Sequence, residues 1–366
     1  MGRQKGRYRK IAAFIVLAAL VALTIVSFVP LIESNIWWIR FMDFPRLQLA
    51  VAVSVLLASY IGLRGWPTVA AWLVLLSAVG ALSYQAYKLH PYSQLVEQTL
   101  IAHEECEEDQ SLRIMVANVK RENDAADAFL DQVTEVDPDL LLIMETDAWW
   151  DARLAALHDR FPHRRQSIPE GDSFYGMHLF SKLNLIEPEF RYFFDSDTPT
   201  AVTKITLRGG DTINFIGLHP KPPLAWSQPT TMRDAHLLQA ALLAREADVA
   251  TIVAGDFNAV PWERVTRRAM RIGVLLDPRV GRGFFATYDT QNYLISWPLD
   301  HILFQQQLRL QSFERLPDFG SDHLAVVTTL CHAPSAVQKA PSLHTGDLAE
   351  AEKSIEMARD FQNNGD

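Results

Sequence analysis

The sequence predicts an α/β domain with mixed sheets covered by helices, entered from a membrane-anchoring segment. Three observations carry that expectation. Strand-like and helix-like stretches alternate from Ser111 onward. Two apolar runs, "DLLLIMET" and "ATIVAGDFN", lack the alternating polarity of a half-exposed strand and read as strands buried on both faces. The first ninety residues are almost entirely apolar.

In chain order, residues 1–90 form the anchor, with three predicted transmembrane helices at about 11–31, 47–63 and 66–87. Each approaches the roughly 20 residues that cross a bilayer as a helix. A secretory signal peptide is the rival reading of the first segment. Its apolar stretch exceeds the roughly 7 to 15 residues of such a region, and no clear small-residue cleavage site follows. Arg3, Lys5, Arg7, Arg9 and Lys10 should hold the N-terminus in the cytoplasm, so three crossings put everything after residue 90 outside. Arg64 agrees with that orientation, whereas Arg40 and Arg46, in the first outer loop, run against it. Trp37, Trp38 and Trp66 suit the headgroup interface. The localisation implied is a multi-pass protein of the cell (inner) membrane with its soluble domain on the extracytoplasmic side.

Residues 91–110 turn polar and acidic and read as a linker. The domain proper covers 111–332. "LRIMVANV" is a strand, and "NDAADAFLDQVTEV" is a helix with Ala125, Phe129, Leu130 and Val133 on one face. "DLLLIMET", "YGMHLFSK", "AVTKITLR" and "TINFIGLHP" are strands, the last two joined by a hairpin turn at Gly209-Gly210-Asp211. "TTMRDAHLLQAALLAREA" is a helix; "ATIVAGDFN", "DHILFQ" and "HLAVVTTL" are further strands. The tail, 333–366, ends in an amphipathic stretch. It reads either as a partner helix or, as termini more often are, as a frayed and solvated end.

Net charge is −9, and between residues 105 and 332 there are 33 acids against 22 basic residues. That balance excludes a protein held to nucleic acid by overall charge. Cys106 and Cys331 are the only cysteines, with no CxxC, so no zinc motif exists. They are two free thiols or, if the domain is exported, a disulfide.

Polar residues recur at predicted strand ends: Asn118, Glu145, His219, Asp256 with Asn258, Asp300 with His301, and Ser321 with Asp322 and His323. Ligand sites of open α/β sheets lie at strand ends. Each piece alone is ordinary turn or capping chemistry, but turn chemistry does not explain six of them. "DFN" is not a calcium loop of the EF-hand kind, because Val260, Trp262 and Arg267 stand where oxygen ligands belong.

The ordered series Asn118, Glu145, "GLHPKPP", "GDFN", "LDH" and "GSDHLAV" resembles the endonuclease/exonuclease/phosphatase (DNase I-like) superfamily over about Ser111 to Leu330. The resemblance implies a four-layer α/β/β/α sandwich and hydrolysis of phosphoester bonds with Mg²⁺ or Mn²⁺. It implies Glu145, Asp322 and Asn118 at the metal, and Asp256 as the base for the attacking water. Asn258, His219 and His323 would hold the phosphate, with Asp300 orienting His323. Asn258 is expected on the same side of an extended chain as Asp256. Some relatives carry a second acid where Lys120 stands here, which favours one metal over two. His301 receives no role, and His178 reads as structural because it sits in mid-strand. The implied topology sets the first and last strands side by side, so that Cys106 and Cys331 could pair.

The expected activity is that of a membrane-anchored phosphodiesterase or nuclease. A phospholipid phosphodiesterase of the sphingomyelinase kind is the alternative, and a catalytically inactive membrane binding module is the alternative of another class. No protein partner is expected. Arg264, Arg267, Arg268, Arg271, Arg279 and Arg282 form either an arm for polyanions or the solvated face of a helix. Trp226, Trp262 and Trp297 either rim the site or belong to the core.

Overall fold

The computed structural model describes residues 2–63, 68–96, 106–171, 173–223, 229–292, 294–335 and 338–364. The expectations for Arg64, Trp66 and Trp226, and for part of the 91–110 linker, fall outside these residues.

Apolar composition makes helices of all three anchor segments: α1 (Gly2–Phe28), α3 (Arg46–Gly62) and α4 (Val69–Leu89), with the short α2 (Trp37–Phe41) in the first loop. Only two are long and apolar enough to cross a membrane, one spanning Gly6–Leu31 and the other Val69–Tyr92. This corrects the expectation of three. At 17 residues α3 is about a turn short of the bilayer's requirement.

From seven residues after the end of α1, at Asn35, the anchor meets the soluble domain. Thr230 N–H donates to Asn35 O, Tyr92 Oη to Pro261 O, and Trp262 Nε1 to Asp43 O. Arg40 Nη1 lies 2.7 Å from Asp234 and its Nη2 2.6 Å from Glu263, and Arg233 bridges the same two acids. The loop after α1 and the domain after α4 therefore pack against each other.

The domain carries two six-stranded sheets. One has the order β11-β12-β1-β2-β4-β3 and the other β5-β6-β7-β8-β10-β9. The first comprises β1 (Ser111–Asn118), β2 (Leu140–Met144), β3 (His163–Ser167), β4 (Met177–Ser181), β11 (Leu308–Arg315) and β12 (Val326–His332). The second comprises β5 (Leu185–Arg191), β6 (Thr200–Thr206), β7 (Thr212–Leu218), β8 (Thr251–Asp256), β9 (Leu275–Leu276) and β10 (Asp300–Gln305). Strand alternation sorts each strand's side chains into two cores. Leu112, Ile114 and Val116 of β1 join Ile252 and Ala254 of β8 between the sheets. Met115 and Ala117 face outward against Phe129 and Val133 of α5 (Ala126–Val136) and Trp150 of α6 (Ala148–Leu154). On the other side Ile216 and Val253 pack under α7 (Thr230–Glu246) and α8 (Arg264–Gly273). The layers are thus α/β/β/α.

The tail differs from the solvated end favoured by the sequence. Its helix α9 (Asp347–Asn364) docks on α7 through Ala351, Ile355 and Ala358, and Arg271 clamps Asp347 with two bonds of 2.7 Å. α7 is buried nearly all round, which demands a second helix over it. At the opposite end, Cys106 and Cys331 are disulfide-bonded, with Cα atoms 5.9 Å apart.

Candidate active site

β1, β2, β7 and β8 all end at the same rim, because β1 and β2 are parallel, as are β7 and β8. Antiparallel pairing of β10 with β8 sets Asp300 opposite Asp256. The two sheets touch where Asp256 N–H points at Met144 Sδ, 3.2 Å away. Gly255, at φ +139°, lets β8 lie close against its neighbour β7 here: a Cβ there would meet Leu218 O at 1.9 Å. Three residues just past the strand ends, Lys120, Glu145 and Asn258, take left-handed backbone at φ 56°, 59° and 50°. Each costs on the order of 1 kcal/mol and turns the chain sharply at the rim.

Asp256 is the hub. Its Oδ2 accepts from Asn118 Nδ2 at 3.2 Å and lies 3.7 Å from His219 Nε2 and 3.6 Å from His323 Nε2. Asn118 Nδ2 also donates to Glu145 Oε1 at 2.7 Å, and His219 Nε2 is 3.7 Å from the same oxygen. His323 Nδ1 bonds Asp300 Oδ2 at 2.8 Å. Burial pushes the Glu145 carboxyl up to about 7. Burial, with Asp300 opposite, also raises Asp256 despite the nearby imidazoles. Burial lowers His219 and keeps it neutral. His323 meets the same burial, but Asp300 and Asp256 outweigh it and push the imidazole up to about 10. One wall thus offers a cationic donor and the other a pair of carboxylates short of positive charge.

Glu145, His219 and Asp256 each offer a ligand atom, all within 4.8 Å of one another. Two carboxylates whose ionisation burial resists, beside a neutral imidazole, fit a divalent cation with oxygen and nitrogen ligands. Asp322 belongs to neither ligand group among the described residues; it pairs with Lys120 Nζ at 3.2 Å. Asn118 turns its amide nitrogen to the acids, while its Oδ1 accepts from Lys120 N–H. Its amide nitrogen thus faces Glu145 and Asp256. The extended-chain argument for Asn258 fails. Asp256 Oδ1 takes Asn258 N–H at 2.9 Å and bends the chain, and Asn258 Nδ2 donates to Pro220 O. Asn258 nonetheless lines the cleft with Glu145, Asp256, Asp322 and His323.

His178 is structural, between Thr146 and Asp151. His301 is buried between Arg279 and Ala259 O, with its ring stacked on Phe257. The arginines after β8 do not form an arm. Arg264 pairs with Glu33, Arg268 and Arg271 with Asp347, and Arg279 with Asp277, while Arg267 lies over the Tyr87 ring. Trp262 is core, with its N–H on Asp43 O, whereas Trp297 lines the cleft. Sequence reasoning missed Phe41 and Phe44, which reach that cleft from the anchor; two phenylalanines in a short outer loop were the only signal.

Paired sheets with acids, an amide and two histidines converging on one rim define a hydrolase of phosphoester bonds. The profile of the endonuclease/exonuclease/phosphatase family matches residues 115–323, and the chain belongs to that family. No curated protein sequence matches it. Among solved structures it is similar to a humanized D. rerio TDP2 carrying 14 mutations, at 18% identity and TM-score 0.50, over 60% of this chain and 99% of that one. It is also similar to a conserved protein of unknown function from Enterococcus faecalis V583, at 16% identity and TM-score 0.50, over 60% and 100%. At such identities the likeness shows the fold.

Proposed function

We propose that the protein is a membrane-anchored, Mg²⁺- or Mn²⁺-dependent phosphodiesterase whose domain faces the extracytoplasmic side. The observation that carries this reading is the rim itself: Glu145, Asp256 and Asp300 converge on a single cationic side chain, His323. Glu145, Asp256 and His219 would hold one ion, with Asp322 at the same cleft kept in place by Lys120. When bound, the ion offsets charge on the phosphate oxygens. Asn118 fixes both carboxylates. Asp256 takes a proton from water as the water oxygen bonds to phosphorus. The P–O bond to the leaving alcohol breaks, and that oxygen takes up a proton. His323, charged and oriented by Asp300, holds the phosphate, helped by Asn258, while His219 serves the ion.

Two observations support the outside assignment. The disulfide is at home in an oxidising compartment. Arg40 and Arg46, which ran against the orientation, are paired with Asp234, Glu263 and Asp43, so neither counts as a free basic loop residue. The full-length protein should hydrolyse bis-p-nitrophenyl phosphate with Mg²⁺ or Mn²⁺ and stop with a chelator. Asp256→Ala should lose about 10³-fold in turnover; equal rates in the two proteins would remove Asp256 from the mechanism.

A further inference from the structure

One wall of the cleft is not built by the catalytic domain alone. The opening holds about 460 Å³, and its floor carries Glu145, Asp256, Asn258 and His323. Its side is a row of rings that begins at the proposed phosphate donor. Tyr288 lies 4.9 Å from the His323 ring and 6.3 Å from Trp297. Trp297 meets Phe41 and Phe44 edge-on at 5.5 and 5.6 Å, and those two rings stack at 5.3 Å. Phe41 ends α2, five residues before the apolar helix α3 begins. The loop that carries Trp297 is tied to the first turn of α3, where Gln48 Nε2 donates to Leu294 O at 3.0 Å. Exposed apolar side chains cluster at this seam, including Leu294 at 79% and Ile295 at 46% exposure, with Leu47 of α3 at 43%.

The path from floor to rim thus runs from polar to apolar and ends at a helix end that the membrane interface would hold. Lipid phosphates sit at that level, just outside the hydrocarbon core. An extended polyanion is disfavoured, because the domain is acidic and no lysine or arginine is among the described residues that line the cleft.

We infer that the substrate is a phosphodiester lipid of the host bilayer. It reaches the site sideways along the wall of Phe41, Phe44 and Trp297, so the anchor forms part of the substrate site. The inference rests on the phosphodiesterase reading above. Water adds to phosphorus and one ester P–O bond breaks, leaving a phosphomonoester and an alcohol.

The test uses the full chain in vesicles of phosphatidylethanolamine and phosphatidylglycerol with Mn²⁺. ³¹P NMR follows conversion of lipid diester to monoester, and bis-p-nitrophenyl phosphate and a single-stranded oligonucleotide are assayed on the same sample. Lipid turnover is expected, and Phe41→Ser should lower the ratio of lipid to bis-p-nitrophenyl phosphate turnover about tenfold. Wild-type protein that cleaves the soluble diester or the oligonucleotide but leaves the lipids intact overturns the inference without reference to any variant. So does a ratio unmoved by Phe41→Ser. Loss of turnover on every substrate would instead fail the phosphodiesterase reading, and this inference with it.

Discussion

At the rim, Glu145, Asp256 and Asp300 face one cation, the imidazolium of His323. At the junction with the anchor, Asp43, Asp234 and Glu263 face three, Arg40, Arg46 and Arg233. Both clusters are buried, and burial penalises their charges alike. The arginines answer part of that penalty at the junction: Arg40 and Arg233 outweigh burial at Asp234 and hold its carboxyl below its usual range, while burial still raises the Glu263 carboxyl. Nothing comparable answers it at the rim, where Glu145 and Asp256 are pushed up. A balanced cluster holds its shape unaided. An unbalanced one is a place for a cation and a phosphate to complete. Arg233 links the two, donating to Asn258 O beside the rim while gripping Glu263 at the junction.

Upsetting the balanced cluster should have the largest effect. Glu263→Ala leaves Arg40 and Arg233 with one carboxylate between them and should cost about 3 kcal/mol. Urea unfolding in detergent measures it, and a loss well below about 1 kcal/mol would show that the junction is solvated. Adding protons to the unbalanced cluster should act through its ion. Because the Glu145 carboxyl sits at about 7, it must shed a proton to bind metal below that pH. Apparent Mn²⁺ affinity should fall about tenfold per pH unit below 7 and level off above it. Calorimetric titration across that range reads the slope, and a flat profile would remove Glu145 as a ligand. The smallest effect belongs to the pair that fastens the tail helix. Bonding to Arg271 holds the Asp347 carboxyl down to about 2. Its contribution is therefore present above the ordinary carboxyl range and lost as pH falls through about 2. Asp347→Asn should weaken docking of α9 by about 1 kcal/mol, seen as faster hydrogen exchange in α9 and α7.

The parts of this design that the sequence made legible share one property: a local pattern sufficed. β2 and β8 are unbroken apolar runs, and the residues just after them, Glu145 and Asp256 with Asn258, stand out because polarity returns abruptly. β3 escaped notice because it is wholly polar and largely exposed, and β5 because Glu187, Pro188 and Glu189 interrupt its apolar residues. α9 was read as loose because its partner face on α7 lies a hundred residues upstream. The conformation of Asn258 was misjudged because a side-chain bond from Asp256, not strand geometry, sets it. The junction was invisible for the same reason as the aromatic wall. Arg40 and Phe41 look like ordinary loop residues until Asp234, Glu263 and Trp297 arrive from elsewhere in the chain.

The bond between Cys106 and Cys331 joins the chain shortly after it leaves the anchor to its last strand, 225 residues later. Every loop of the catalytic domain between them lies inside that covalent ring. A protease that cuts any single one of those loops frees nothing: both pieces stay tethered to the same anchor. Separating this domain from the anchor therefore requires a cut before Cys106, reduction of the bond, or two cuts within the ring.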